Sequence, residues 1–212
     1  MKVKNVILAI CLVGFAVSIL AKPRHHRDQL QQVTTISGTI AEWAYNDDFE
    51  YDRLYLNTGN TTIFVKFPPH LAKQARALGN NLTVNGVFHV NREGVQELKM
   101  VSMSGNGKTV YDQKPIRQIT YFQESFVSGE GKVSQVQLNK SGAVHGYILD
   151  NGIVLRISPR SAWQLSQMIH VGSVIGYSGI KKALKKGHVR AYNYKQVHSQ
   201  TLSVNGTQYA VR

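Results

Sequence analysis

Between Lys181 and Tyr194 the chain reads KKALKKGHVRAYNY. Four lysines, Lys181, Lys182, Lys185 and Lys186, fall within six residues, and His188, Arg190, Tyr192 and Tyr194 follow. Clustered ammonium groups attract a chain of phosphates or sulfates, and rings beside them can stack on unpaired bases. Arg190, Tyr192 and Tyr194 alternate, so on an extended strand all three point to one side. These eight residues are the candidate polyanion-binding set. Single-stranded nucleic acid and an anionic envelope polymer are the candidate partners. The plain alternative is that the lysines only solvate a hairpin tip and the tyrosines pack inward. The protein would then be an envelope structural or protein-interaction module.

A second cluster is acidic. Asn46-Asp47-Asp48-Phe49-Glu50-Tyr51-Asp52 carries four carboxylates in seven residues. Oxygen ligands of this kind suit Ca²⁺, and a cation held by Asp47, Asp48, Glu50 and Asp52 would allow a hydrolase. The stretch has no glycine to turn a cation loop and no regular ligand spacing, so no metal and no cofactor are expected. A solvated acidic loop, or one that docks on the basic half of another copy, is the simpler reading. The chain carries no nucleophile elbow, phosphate loop, HExxH or cysteine–histidine arrangement, so the expectation is a non-enzymatic protein.

The elements that must position these residues come in two copies. Gly38 and Gly131, and again Gly86 and Gly179, stand 93 positions apart. Val65-Lys66-Phe67-Pro68-Pro69 is matched by Leu155-Arg156-Ile157-Ser158-Pro159. A self-match of this extent means one unit used twice. Each copy begins with a strand, over 35–43 and 132–138. A strand pair follows, turned by Asn57-Thr58-Gly59-Asn60 in the first copy and by Asp150-Asn151-Gly152 in the second. Asn and Gly accept the positive φ that tight hairpins need.

A short helix comes next, entered at Pro69 or Pro159, where a missing N–H costs little. Its apolar face is Leu71, Ala75 and Leu78, or Ala162, Leu165 and Ile169. Ile63, Val65 and Phe67 point one way from their strand, and Phe64 and Lys66 the other. Two further strands complete each unit. The order is that of an OB fold. The chain is therefore expected to be mainly β, with two tandem OB-like five-stranded barrels, each with a short helix between strands 3 and 4. The barrels are placed at 35–112 and 129–212. Residues 113–128 are read as a packed linker, and the basic loop becomes the strand 4–5 connection of the second barrel.

The unit resembles a group of small exported bacterial OB-fold proteins with a V-x-F-P-P-H signature, followed by a short helix and a V-x-V-x-G strand. Val65-Lys66-Phe67-Pro68-Pro69-His70 and Leu82-Thr83-Val84-Asn85-Gly86 carry that pattern here. The second copy departs from it, with Ser158 for the first proline and Arg160 for the histidine. The resemblance implies a fold and an exported address rather than an activity.

The N-terminus agrees with that address. Lys2 and Lys4 precede an apolar run from Val6 to Val17, extended by Ile19–Ala21. Residues 1–21 read as a signal peptide cleaved after Ala21, with a retained anchor as the alternative. Periplasmic or secreted localisation follows, with no transmembrane span after cleavage. Residues 22–34 read as a disordered polar tail. Cys11, the chain's one cysteine, leaves with the signal, so the mature protein folds without disulfides. Removing Lys2 and Lys4 from the whole chain's +13 leaves about +11. This charge is uneven. Residues 36–112 hold seven basic and eight acidic groups, and residues 128–212 hold eleven and two. One near-neutral copy and one strongly basic copy point to an anionic partner for the second.

Overall fold

Alternating apolar residues and glycine-rich turns give this chain strands rather than helices, and the strands close on themselves. The computed structural model describes residues 30–91, 94–114, 125–139 and 141–211. The proposed signal peptide, residues 22–29 of the tail and residues 115–124 of the linker lie outside these. Residues Gln32–Arg212 form one compact unit. No helix among the described residues is long and apolar enough to cross a membrane.

The first barrel uses β1 (Thr34–Tyr45), β2 (Tyr51–Asn57), β3 (Thr62–Lys66), β4 (Asn81–Val90) and β5 (Gln96–Gly105). β1 pairs with β2 and β4, β2 with β3, β4 with β5, and β3 closes the ring by a parallel pairing to β5. The second barrel repeats this with β7 (Ser125–Leu138), β8 (Val144–Leu149), β9 (Ile153–Arg156), β10 (Val174–Lys181) and β11 (Lys195–Val204). Its ring is closed by the parallel β9–β11 pairing. Each barrel also carries a sixth strand folded back on its fifth, β6 (Lys108–Tyr111) and β12 (Thr207–Ala210). The fold is thus two closed five-stranded OB barrels in tandem, each with a short helix between strands 3 and 4.

A 3-10 turn at Pro69–Leu71 leads into α1 (Ala72–Arg76), and α2 spans Pro159–Leu165. Leu71, Ala75, Leu78, Ala162, Leu165 and Ile169 are all buried, so each helix plugs its barrel with the face expected. Ser158, which replaces a proline of the first copy, caps α2: its Oγ accepts from the Ser161 N–H at 3.2 Å. His70 does not cap its own helix; its Nε2 meets the Gln113 carbonyl at 2.9 Å.

The matched glycines have a steric cause. Gly86 and Gly179 each sit at a register shift between strands 4 and 5 of their barrel. A Cβ at Gly86 would lie 2.6 Å from the Lys99 carbonyl, and one at Gly179 would run into the His198 carbonyl. The backbones approach too closely there for any side chain.

The packed linker ends in strand, since β7 begins at Ser125. One expectation needs correction. β10 ends at Lys181 and β11 begins at Lys195, so Arg190, Tyr192 and Tyr194 do not lie on strand 5. They belong to a 13-residue connection, 182–194, which reaches the other barrel.

Candidate functional site

The acidic loop of the first barrel and the basic connection of the second meet each other. The acidic loop, residues 46–50, is a tight turn built by its own side chains. Asn46 Oδ1 accepts from the N–H groups of Asp48 and Glu50 at 2.9 and 3.1 Å. Phe49 adopts φ +59, supplying the left-handed residue for which no glycine is present. The turn reaches the second barrel of its own chain.

Lys182 Nζ contacts Asp48 Oδ2 at 2.5 Å, and Arg156 lies 3.5 Å from Asp48 Oδ1. Gln196 Nε2 donates to the Asp48 carbonyl at 2.8 Å, and Arg156 donates to the Asp47 carbonyl. Arg156 is only 8% exposed and also donates to Gln137 Oε1 at 2.8 Å while lying against His145. The Phe49 ring fills an apolar slot with Ile148, Val154 and Tyr194.

The connection from the second barrel returns the embrace. The N–H of Tyr51 donates to the Val189 carbonyl at 3.0 Å, and that of Ala191 to the Phe49 carbonyl at 2.8 Å. Glu50 and Arg190 pair between them as an antiparallel bridge. The connection thus runs beside the entry to β2 through one isolated bridge, and Val189 packs against the first barrel's core. His188 Nδ1 lies 2.7 Å from Glu50 Oε2, and both side chains are nearly buried. Gly187 has φ +83 and sits so close to the His70 carbonyl that a Cβ would overlap it. The Gly187 carbonyl in turn accepts from the Lys73 N–H at 2.9 Å.

Of the eight residues proposed to bind a polyanion, five are therefore engaged inside the chain. Lys182 and His188 are paired with acids. Arg190 Nη1 donates to the Tyr194 carbonyl at 2.9 Å. Tyr194 packs on Phe49 at 5.0 Å between ring centroids, and Tyr192 lies 5.5 Å from Tyr45. Lys181, Lys185 and Lys186 remain exposed. Three of the four candidate metal-ligand carboxylates are likewise engaged, and Asp47 is exposed. Asp48 and Glu50 hold the contacts above, Asp52 binds Arg53 at 2.7 Å, and Asp47 uses its carbonyl. Among the described residues no cluster of three or more His, Cys, Asp or Glu is arranged to hold a metal ion.

A crevice of 730 Å³ opens where the acidic loop meets the second barrel, lined by Asp47 and Asp48 of the loop and by His145, Arg156, Lys182 and His198 of the second barrel. Burial raises the Asp48 pKa, but the hydrogen bond and charge of Lys182, with Arg156, outweigh it and hold the carboxyl below its usual value. Burial pushes both histidines down, helped by Arg156 at His145 and by Lys182 at His198.

All three shifts make the fold less stable in acid. A histidine whose folded pKa is depressed leaves the unfolded chain holding more protons as pH falls below about 6.5. Stability is then lost from that pH down to the folded value. The Asp48 contribution is full above about pH 4 and is lost as pH falls through its lower folded pKa. The thermal midpoint is expected to fall in two steps, below about pH 6.5 and again below about pH 4. His145→Gln should flatten the first step; a midpoint flat from pH 7 to 5 in the parent protein would remove this account.

Sequence reasoning missed an aromatic set on the outer face of the first barrel. Tyr55 on β2 stands opposite Phe64 on β3, with centroids 5.3 Å apart. The Arg53 guanidinium lies 5.7 Å from the Phe64 centroid while bound to Asp52. The signal was present in the strand alternation, which turns Phe64 outward. An outward aromatic facing a tyrosine across a hairpin could have been flagged from the sequence. On α1, Arg76 lies over Tyr51 at 4.6 Å and Trp43 at 5.3 Å.

No protein-family model and no curated protein matches the chain. Among solved structures, it is similar to the wild-type single-stranded DNA binding protein from Thermus aquaticus. The identity is 12%, covering 86% of this chain and 96% of that one, with a TM-score of 0.24. It is also similar to the tetrameric p202 HIN2, at 14% identity over 82% of this chain and 92% of that one, with a TM-score of 0.23. Likeness of this degree carries no argument about ligand or activity; the barrel assignment rests on the strand order.

Proposed function

We propose that this is an exported, non-enzymatic tandem OB-fold protein that holds a polyanion at the junction of its barrels, on the strand 4–5 connection of the second. One observation carries the reading. Lys181, Lys185 and Lys186 stay exposed after the rest of the connection has been used to join the barrels, and the Lys73 backbone is bonded to Gly187 beside them. None of these four lysines has an acidic partner within 4 Å among the described residues. An unpaired lysine group on a rigid junction attracts phosphate or sulfate at little conformational cost. The same connection supplies Tyr192, 46% exposed, as a ring beside the charges.

Binding is expected to be mostly electrostatic. The triple change Lys181→Gln, Lys185→Gln, Lys186→Gln should reduce the salt slope for a single-stranded oligonucleotide by about 2, at roughly 0.7 per phosphate contact. Fluorescence anisotropy across a salt series, with oligothymidine and heparin as probes, reads this directly. An unchanged slope for both probes would remove the lysines from the site. Lys182 is left alone in this variant because it anchors Asp48. Fractionation of expressing cells tests the exported location.

A further inference from the structure

We propose that the groove between Tyr45 and Tyr55 on the first barrel is a stacking site for unpaired bases, so that the polyanion is a single-stranded nucleic acid spanning both barrels. This rests on the polyanion reading above and adds the ligand class and a second contact region. Tyr45 and Tyr55 line one groove of 540 Å³, with Ala41, Ala44 and Thr62 as small neighbours that leave the rings open at the sides. Tyr45 is 38% exposed at the end of β1. It is held by Tyr192 of the second barrel, with ring centroids 5.5 Å apart and hydroxyl oxygens at 3.2 Å. Tyr55 continues to Phe64, and Arg53 lies over that ring. A row of four rings thus runs from the basic connection across the groove to an arginine.

The geometry favours a base over other anionic partners. Rings already fixed by their neighbours lose little freedom when a flat partner stacks on them, and every base offers such a face. Glu42 also lines the groove, directly across from Tyr55 in the sheet. Its carboxylate repels phosphate and sulfate but accepts hydrogen bonds from ring N–H and amino groups. The backbone of a strand is therefore kept out of the groove and left to the lysines, while its bases enter. A sulfated glycan or an anionic lipid surface has no flat, neutral, donor-bearing group to fill it.

The test uses the full chain with three probes of equal length: oligothymidine, the same phosphodeoxyribose strand without bases, and heparin. Oligothymidine is expected to bind about ten-fold or more tightly than the abasic strand. Tyr55→Ala should weaken oligothymidine by roughly ten- to one-hundred-fold and leave abasic strand and heparin unchanged, while Tyr55→Phe retains binding. Photo-crosslinking of an iodouracil oligomer to Tyr55 or Tyr192 in the unaltered protein gives a second reading that needs no variant. Equal affinity for oligothymidine and the abasic strand, or no effect of Tyr55→Ala together with no crosslink, overturns the stacking site and leaves the lysine site standing. A neutral oligosaccharide that binds and is lost in Tyr55→Ala also overturns it. Failure of all three polyanions to bind retires the polyanion reading itself.

Discussion

Phe49→Ala is expected to destabilise the protein by about 3–5 kcal/mol, the range for losing a buried phenyl ring. The ring is the apolar centre of the contact between barrels, set against Ile148, Val154 and Tyr194. The substitution empties that slot and keeps the unfavourable φ of +59. Phe49→Gly loses the same ring but relieves the backbone, and glycine accepts positive φ freely. The glycine variant is therefore expected to be the more stable of the two by roughly 1 kcal/mol, although it removes one more carbon. Urea denaturation of the three proteins measures both differences. Calorimetry should also show the single transition broadening or splitting as the barrels lose their coupling. A parent-like midpoint for Phe49→Ala would mean that this contact is not formed in solution.

Arg156→Ala is the second large effect, at about 3 kcal/mol, near the lower end of what breaking a buried ion pair costs. The guanidinium serves Gln137, the Asp47 carbonyl and Asp48 at once, and its removal leaves the buried Gln137 Oε1 without this donor. Arg156→Met keeps most of the volume and should cost less than Ala. Arg156→Lys should not rescue fully, because a single ammonium cannot replace a planar fork that points to three partners. If Arg156→Ala falls within about 1 kcal/mol of the parent in urea, the network contributes little and the apolar contact alone joins the barrels.

The barrels were legible in the sequence because their causes are local. Ile63, Val65 and Phe67 alternate inward, Asp150-Asn151-Gly152 turns a hairpin, and Gly86 and Gly179, 93 positions apart, mark close backbone approaches. The site was legible only in part. Lys181, Lys185 and Lys186 are exposed as expected, but Tyr192 and Tyr194 imitate strand alternation while serving a contact with Tyr45 and Phe49. Local periodicity cannot tell a ring that faces a sheet from one that faces another barrel. The unequal charge of the two copies pointed outward to an anionic partner. Part of it is answered within the chain, by Asp48 against Lys182 and Arg156. That an acidic loop in one copy and a basic loop in the other could answer each other was visible. That they do so in one chain depends on where the barrels sit, which no short window of sequence records.

The contacts between the loops join residues 109 to 148 positions apart. Loop closure over such distances is costly before any contact repays it, and such contacts slow folding. The first barrel has all five of its strands once Gly105 has been synthesised, yet its acidic turn meets no partner in the second barrel until residues 148–156 are made, and its full set waits for residue 196. Until then Phe49 projects from a finished barrel beside Tyr45, without the Ile148, Val154 and Tyr194 that complete its cover, at a turn with a positive φ. The nascent protein is thus most vulnerable to aggregation after its first half has folded, and the last contacts to form are the ones that make the two halves a single body.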